Sequence, residues 1–295
     1  MESHATRIAS SDGRYRLVTA LPAVVGLVAF FLLFAKPAIL LGQDWWTNPE
    51  AGHGLLLAPV ALWLAWRRGL RTDRLPDYLL GTGLLLGSVT LRLAADLAAE
   101  LYTMRLSMIG AIVGLVVFYA GLRQALSWWL PFLLLALSVP FPEVVTSALA
   151  LPLQFKASQM GAYLLEWREV PVSLSGNIIS LPSQQLFVTE ACSGLRSLTA
   201  LLSLGVLMGG LWLRYVPTRI LLLAVTIPIA IVINGIRVFL TGFLVYYVDP
   251  SLGDGFMHLT EGWLMFVVSF GLIGGVAWVM RGTEHWVRQG RDVAP

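Results

Sequence analysis

The chain has 295 residues, of which 57% are hydrophobic and only 13% are charged, whereas a soluble domain carries about 25% charged residues. This composition excludes an ordinary soluble protein and predicts a membrane protein. The net charge of +3 comes from arginines in short loops between apolar runs, a pattern that is typical of membrane orientation and argues against nucleic-acid binding.

The apolar runs predict membrane-spanning helices, because crossing the hydrocarbon layer takes about 20 apolar residues. No small-residue cleavage site follows the first run, so we expect a retained helix there and not a signal peptide. The fold class is therefore an all-α polytopic membrane protein, with one domain over residues 1–295 and a helical core over 17–281. About eight spans are predicted, at residues 17–35, 51–66, 78–91, 106–122, 124–142, 197–213, 220–236 and 262–280.

The basic residues predict the orientation of these spans. With the N-terminus in the cytoplasm, most of the 20 basic residues fall in cytoplasmic loops, as the bias of Lys and Arg toward that side requires. We therefore expect the loops after the first, third, fifth and seventh spans to lie outside the cytoplasm.

A polar and aromatic cluster follows the first span. It contains Asp44, Trp45, Trp46 and His53. The tryptophans are typical of an interfacial belt, so an anchoring role is the simpler interpretation. Asp44 and His53 are also candidates for lining a substrate groove.

Two arginines, Arg92 and Arg105, stand beside apolar runs where a charge needs a partner. Asp96 and Glu100 are the nearest carboxylates in the sequence. We expect the arginines to pair with them.

An extracytoplasmic insertion is predicted over residues 143–191. Its first part, 144–165, is apolar except for Lys156 and a few polar positions, and predicts an amphipathic segment on the membrane surface. The alternative is a further span at 144–165, which would reverse the orientation of every later span. Residues 170–188 alternate β-branched or apolar residues with serines around Ser175, Gly176 and Asn177, which predicts a short β-hairpin.

Cys192 is the only cysteine of the chain, so an intramolecular disulfide is excluded, and no cysteine and histidine spacing indicates a metal site. It lies just before the sixth span, with Glu190 two residues earlier and Arg196 one helical turn later. A cation and a helix N-terminus both stabilise a thiolate, which makes Cys192 a candidate nucleophile. The alternative is a small buried hydrophobic residue.

Two further polar positions fall at span ends on the same predicted side. Arg237 closes the seventh span with Asn234 on the same helix face, and an ionisable group at that depth marks a site unless it extends to the headgroups. His258 precedes the eighth span, and Glu261 one turn later can orient its imidazole. Histidine is the natural base for a thiol, although an interfacial histidine without a chemical task is the alternative.

Three motifs in this order resemble the exosortase/archaeosortase family, and the histidine is similar to its bacterial branch. They are residues 190–197 (EACSGLRS), residues 234–238 (NGIRV) and His258. The resemblance extends from about residue 17 to residue 281, because residues 44–46 and 53–55 are similar to a weaker N-terminal pattern.

The resemblance implies a cysteine protease or transpeptidase of the bacterial cytoplasmic (inner) membrane, with its active site on the extracytoplasmic side and no cofactor. Its partners would be membrane-anchored proteins with a C-terminal sorting signal, made of a Pro-Glu-Pro motif, a transmembrane helix and a basic tail, and an acceptor molecule whose identity stays open. Cys192 would form an acyl-thioester. His258 would act as base and acid, and Arg237 would stabilise the oxyanion or donate a proton.

Two other classes of protein fit parts of the sequence. A polytopic transporter or a lipid-modifying enzyme would also use arginines near the membrane, but a transporter predicts inverted repeats that the sequence lacks. A noncatalytic assembly protein of the envelope would tolerate replacement of Cys192 by alanine.

Overall fold

The computed structural model describes residues 26, 28–48, 51–182, 184–188, 195–253 and 256–292. They form an all-α membrane protein with one small antiparallel sheet. The helices are α1 Val28–Thr47, α2 Gly54–Arg68, α3 Tyr78–Leu97, α4 Leu101–Ala120, α5 Leu122–Ser127, α6 Trp129–Leu137, α7 Glu143–Trp167, α8 Leu195–Trp212, α9 Val216–Tyr247 and α10 Phe256–Asp292, with a 3₁₀ turn at Pro250–Gly253 and strands β1 Ser173–Ser175, β2 Ile178–Ser180 and β3 Gln185–Phe187.

Four of the described helices are long and apolar enough to cross a membrane, namely α1, α3, α4 and α9. The boundaries differ from those of most predicted spans. The helix of the predicted span 17–35 continues to Thr47, and two other spans are changed as follows. The predicted span 124–142 is divided at Trp128 into α5 and α6. The predicted span 220–236 is part of the 32-residue helix α9, which continues through Arg237 to Tyr247.

Helices α3 and α4 form a closely packed hairpin. The carboxylate of Asp77 accepts a hydrogen bond from the backbone N–H of Leu80 and caps α3, which satisfies one of the unpaired N–H groups of a helix start. A methyl group placed on Gly81 would lie 2.5 Å from the Phe118 Cα atom. The absent side chain therefore allows the two backbones to approach.

Helix α7 differs from the expected surface segment over its second half, which packs along the last turns of α9. Met160 lies against Gly235, Gly161 against Val238, and Leu165 against Gly242. Because both numbers increase together, the two helices run parallel. Small residues at the contact permit this close approach. The packing therefore favours a helix held against α9 over the surface helix that the polar positions predicted.

The predicted hairpin is present and is extended by a third strand, giving the order β1-β2-β3. Gly176 adopts a φ of 64° in the β1–β2 turn, a conformation that glycine takes without steric cost. Ile179 is fully buried in one core cluster with Leu165 and Val188. The sheet is therefore anchored on the end of α7.

Candidate active site

Helices α8, α9 and α10 pack against one another. A methyl group on Gly205 of α8 would lie 3.2 Å from side-chain atoms of Leu223 and Thr226 of α9, and Gly209 faces Leu222. Residue numbers decrease on α9 as they increase on α8, so these helices are antiparallel. The 3₁₀ turn links α9 to α10, which runs back beside both helices.

These contacts give the relative heights of the helix ends. Leu195 lies ten residues before Gly205, or about 15 Å along α8 at 1.5 Å per residue. The same distance beyond the Gly205 contact on α9 reaches Asn234 and Gly235. On α10, Gly274 contacts Met208. The residue that lies as far before Gly274 on α10 as Leu195 lies before Met208 on α8 is Glu261. The start of α8, the Asn234 region of α9 and the start of α10 therefore lie at one level of the bundle.

Arg237 is half-buried in α9, three residues after Asn234. Its backbone carbonyl accepts a 3.0 Å hydrogen bond from the Thr241 hydroxyl. The turn that carries it is held by α7, because Gly235 contacts Met160 and Val238 contacts Gly161 on the two sides of the arginine. Packing against α7 thus determines the position of Arg237.

Asn234 is only 5% exposed. Its Nδ2 atom has no hydrogen-bond partner among the residues that the structure describes. A buried amide without a partner costs about 1–3 kcal/mol. Such a cost is typical of a residue retained for a function rather than for stability.

The remaining predicted site residues are only partly described. Glu190 and Cys192 lie outside the described residues. Arg196 is the second residue of α8, and His258 and Glu261 are the third and sixth residues of α10, with their side chains outside the described set. The backbone places these three positions at the level of Asn234 or within about two helical turns of it.

The two groove candidates have structural contacts instead. Asp44 belongs to the last turn of α1 and not to a loop, and its carboxylate accepts a 2.7 Å hydrogen bond from Arg105. His53 Nε2 lies 3.1 Å from the carbonyl oxygen of Leu137. Nearby, Trp45 Nε1 donates a 2.8 Å bond to the Ser138 carbonyl. These contacts join α1 and α2 to α4 and α6, whereas the interfacial tryptophan belt and the groove role of Asp44 and His53 stay predictions.

Of the two expected arginine pairs, one is present. Arg92 lies 3.4 Å from Asp96, which also binds Lys36 at 3.0 Å. Arg105 and Glu100 form no direct ion pair among the described residues, although the charge of Arg105 acts on the Glu100 carboxyl. The Glu100 carboxylate instead accepts backbone N–H groups of the first turn of α4, which leaves Asp44 as the partner of Arg105.

Sequence reasoning missed the contribution of α7 to the site. The signal that predicts it is the small-residue spacing Ala157, Gly161 and Ala162, of which Ala157 and Ala162 are buried. Such a spacing is typical of a close helix contact in a membrane. Among the described residues, no group of three or more His, Cys, Asp or Glu side chains is arranged to hold a metal ion.

The model of one protein family, described as transmembrane exosortase, matches residues 45–275. No curated protein and no solved structure gives a significant match. The matched region includes all of α2 to α9 and the first half of α10. It therefore contains all three motifs at residues 190–197, 234–238 and 258.

Proposed function

Because the family model covers residues 45–275 of 295, the chain belongs to the transmembrane exosortase family, and we propose that it is a membrane-embedded cysteine peptidase or transpeptidase with Cys192 as its nucleophile. Membership makes it a membrane enzyme that processes sorting signals. The identity of the nucleophile, the chemistry and the acceptor are the content of this proposal.

The observation that carries the proposal is the common level of three helix ends. Cys192 stands three residues before Leu195, so the covalent chain limits its distance from the start of α8 to about 10 Å. Arg237 lies about one helical turn from the Asn234 level, as does His258 from the Glu261 level. This common level supports the proposal that the thiol of Cys192, the guanidinium of Arg237 and the imidazole of His258 serve one site.

The three groups divide the chemistry of amide cleavage. The sulfur of Cys192 attacks the scissile carbonyl carbon, and His258 takes the thiol proton. Arg237 stabilises the oxyanion of the tetrahedral intermediate, since a guanidinium offers hydrogen-bond donors and no acceptor and so cannot serve as base. Collapse of the intermediate breaks the C–N bond, the imidazolium returns the proton to the leaving amine, and the N-terminal part of the substrate remains as a thioester on Cys192.

Neighbouring groups support these roles. Arg196 and the N-terminus of α8 favour the thiolate by charge. Glu261, one turn beyond His258, orients the imidazole and stabilises its protonated form, as the carboxylate does in other nucleophile–histidine sites. Water resolves the thioester in a peptidase, and an acceptor amine resolves it in a transpeptidase.

The substrate is a membrane-anchored protein with a C-terminal sorting signal. Its transmembrane helix lies beside the bundle, with the Pro-Glu-Pro motif at the level of Cys192 and the basic tail at the other membrane face. This arrangement puts the active site on the extracytoplasmic side of the bacterial inner membrane, in agreement with the excess of basic residues at the opposite end.

The test is substrate maturation in cells that carry Cys192→Ala or Cys192→Ser. Both variants should insert at normal abundance and accumulate full-length substrate on an immunoblot. Gly275→Ala, at a position where an added methyl group meets nothing within 4 Å, is the control and should mature substrate normally. Wild-type maturation by Cys192→Ala would reject the enzyme and favour an assembly protein.

A further inference from the structure

A cavity of about 250 Å³ lies between the α8–α9 connection and the last turns of α10. Three arginines and one histidine line it, and we call this cavity the basic pocket: Arg214 on the connection, and Arg281, His285 and Arg288 on α10. Pockets for drug-sized molecules measure about 300–1,000 Å³. The volume of the basic pocket therefore fits a small group, and its charge favours an anionic one.

The one carboxylate lining the pocket is already engaged. Glu284 is 9% exposed and accepts hydrogen bonds from the backbone N–H groups of Arg214 at 3.0 Å and Tyr215 at 3.2 Å, and from the Thr218 hydroxyl. Among the described side chains, no carboxylate forms an ion pair with the three arginines of the pocket. Their charge is available to an external anion.

A larger apolar groove adjoins the basic pocket on the surface of α10. It encloses about 710 Å³ and is lined by Trp278, Val279 and Trp286, together with Arg281 and His285 of the basic pocket. The two tryptophans are 71% and 76% exposed. A groove for a hydrocarbon chain thus continues directly into a site for a negative charge.

The depth of this site along the bundle matches a lipid interface. Arg281 follows Glu261 by 20 residues, or about 30 Å of helix, which equals the thickness of the hydrocarbon layer. The basic pocket therefore lies at the membrane face opposite the candidate active site, at the height of the phosphates. Trp212 and Tyr215, which also line it, are residue types that favour this interface.

We propose that the basic pocket binds the phosphate headgroup of an anionic phospholipid, with an acyl chain in the groove between Trp278 and Trp286. Basic pockets between membrane helices hold such headgroups, and the guanidinium fork matches phosphate oxygens. This site goes beyond the proposed function and does not depend on it, since it shares no residue with the catalytic set.

The experiment measures lipid retention by native mass spectrometry on the full-length, delipidated protein in detergent. Phosphatidylglycerol should bind the wild type, and Arg281→Gln/Arg288→Gln should weaken this binding by about fivefold per arginine, or roughly 25-fold for the pair. Arg74→Gln/Arg123→Gln removes the same charge from exposed positions at the same end of the bundle, since Arg123 lies beside Asp73 and nearby Trp129 contacts Arg219 at the start of α9. This control should leave retention within about twofold of the wild type.

Three ligands on the wild type test the proposal without relying on any variant. Phosphatidylglycerol should raise the thermal unfolding midpoint, whereas phosphatidylcholine and inorganic phosphate should not.

Trp278→Ala/Trp286→Ala should also reduce phosphatidylglycerol retention. Equal stabilisation by inorganic phosphate would assign the pocket to a free anion, and equal retention of phosphatidylcholine would make binding nonspecific. Either result overturns the proposal, as does wild-type retention in Arg281→Gln/Arg288→Gln or an equal loss in Arg74→Gln/Arg123→Gln.

Discussion

Nη2 of Arg105 donates a 2.7 Å hydrogen bond to Oδ2 of Asp44, which lies 61 residues earlier in the chain. The Arg105 side chain is 4% exposed and that of Asp44 is 34% exposed. The pair joins α1 to α4 through a buried arginine, whose charge is costly in a membrane unless a carboxylate lies directly beside it. Replacing either residue would leave the other as a charge without its partner, and this would lower the stability of the protein.

We expect Asp44→Asn to lower the free energy of unfolding by about 2–3 kcal/mol. Removing one partner of a fully buried pair costs about 3–5 kcal/mol, and the partial exposure of Asp44 reduces the effect. The double variant Asp44→Asn/Arg105→Met should recover most of the loss, because no charge remains buried. Denaturation in detergent measures the free energy of unfolding of both variants. Lys36→Met is the control, because the Lys36 side chain is 61% exposed in its ion pair, and it should cost under about 1 kcal/mol. An unaffected Asp44→Asn would contradict this role.

The α7–α9 contact predicts a large effect of a single methyl group. Ala at position 161 would place its Cβ 2.5 Å from Cγ1 of Val238, so Gly161→Ala should lower stability by about 1–3 kcal/mol and displace the turn that carries Arg237. Gly83→Ala in α3, where an added methyl meets nothing within 4 Å, should be neutral or stabilising by about 0.5–1 kcal/mol. Adding Val238→Ala should restore Gly161→Ala. If both glycine variants behave alike in thermal unfolding, the contact is not close.

Asn234 predicts opposite effects on stability and activity. Replacing a buried amide without a partner by an apolar group of similar size removes its desolvation cost, so Asn234→Leu should be as stable as the wild type or more stable. If Asn234 serves the reaction next to Arg237, the same variant should process substrate at least tenfold more slowly. Thermal unfolding and a maturation time course on one preparation provide both numbers. A variant that keeps full activity would assign Asn234 no part in catalysis.

Glu284 predicts an acid-sensitive contribution to stability. Burial acts to raise the pKa of this carboxyl, but hydrogen bonds from Thr218 and from the N–H groups of Arg214 and Tyr215, with the charge of Arg219, hold it below its usual range. A lowered folded pKa means that the stabilisation is complete above the unfolded value of about 4.3 and is lost as the pH falls through the folded pKa. The unfolding free energy should therefore decline below about pH 4 in the wild type and less steeply in Glu284→Gln. Equal slopes in the wild type and in Glu284→Gln would contradict this contribution.

Arg237 and His258 should fail in different ways if they divide the chemistry as proposed. Arg237→Lys keeps the charge but loses the planar fork of donors, so it should lose most activity. His258→Ala removes the base, so alkylation of Cys192 by iodoacetamide should become slow and lose its pH dependence near neutrality. Alkylation rates against pH for solubilised wild type and both variants separate the roles. An unchanged profile in His258→Ala would transfer thiolate stabilisation to Arg196 and the start of α8.

Local patterns were sufficient for several features. The turn at Ser175–Asn177 follows from the conformational preferences of glycine and asparagine, and the pairing of Arg92 with Asp96 follows from the spacing of four residues on one helix. Contacts between residues far apart in the sequence could not be predicted in this way. The partner of Arg105 lies 61 residues away, and a nearer carboxylate, Glu100, caps the helix instead.

The sequence by itself determined the membrane class of this protein and the candidate chemistry, because both depend on local properties of the chain. About 20 apolar residues span a bilayer in any context. The motif around Cys192 resembles that of its family through residue types alone. Only the tertiary structure decided which helix ends share a level, how α7 supports Arg237, and that Arg214 and Arg281 line one pocket. Those relationships depend on packing between residues far apart in the chain, where a glycine contact such as Gly205 with Leu223 sets the offset of one helix against another.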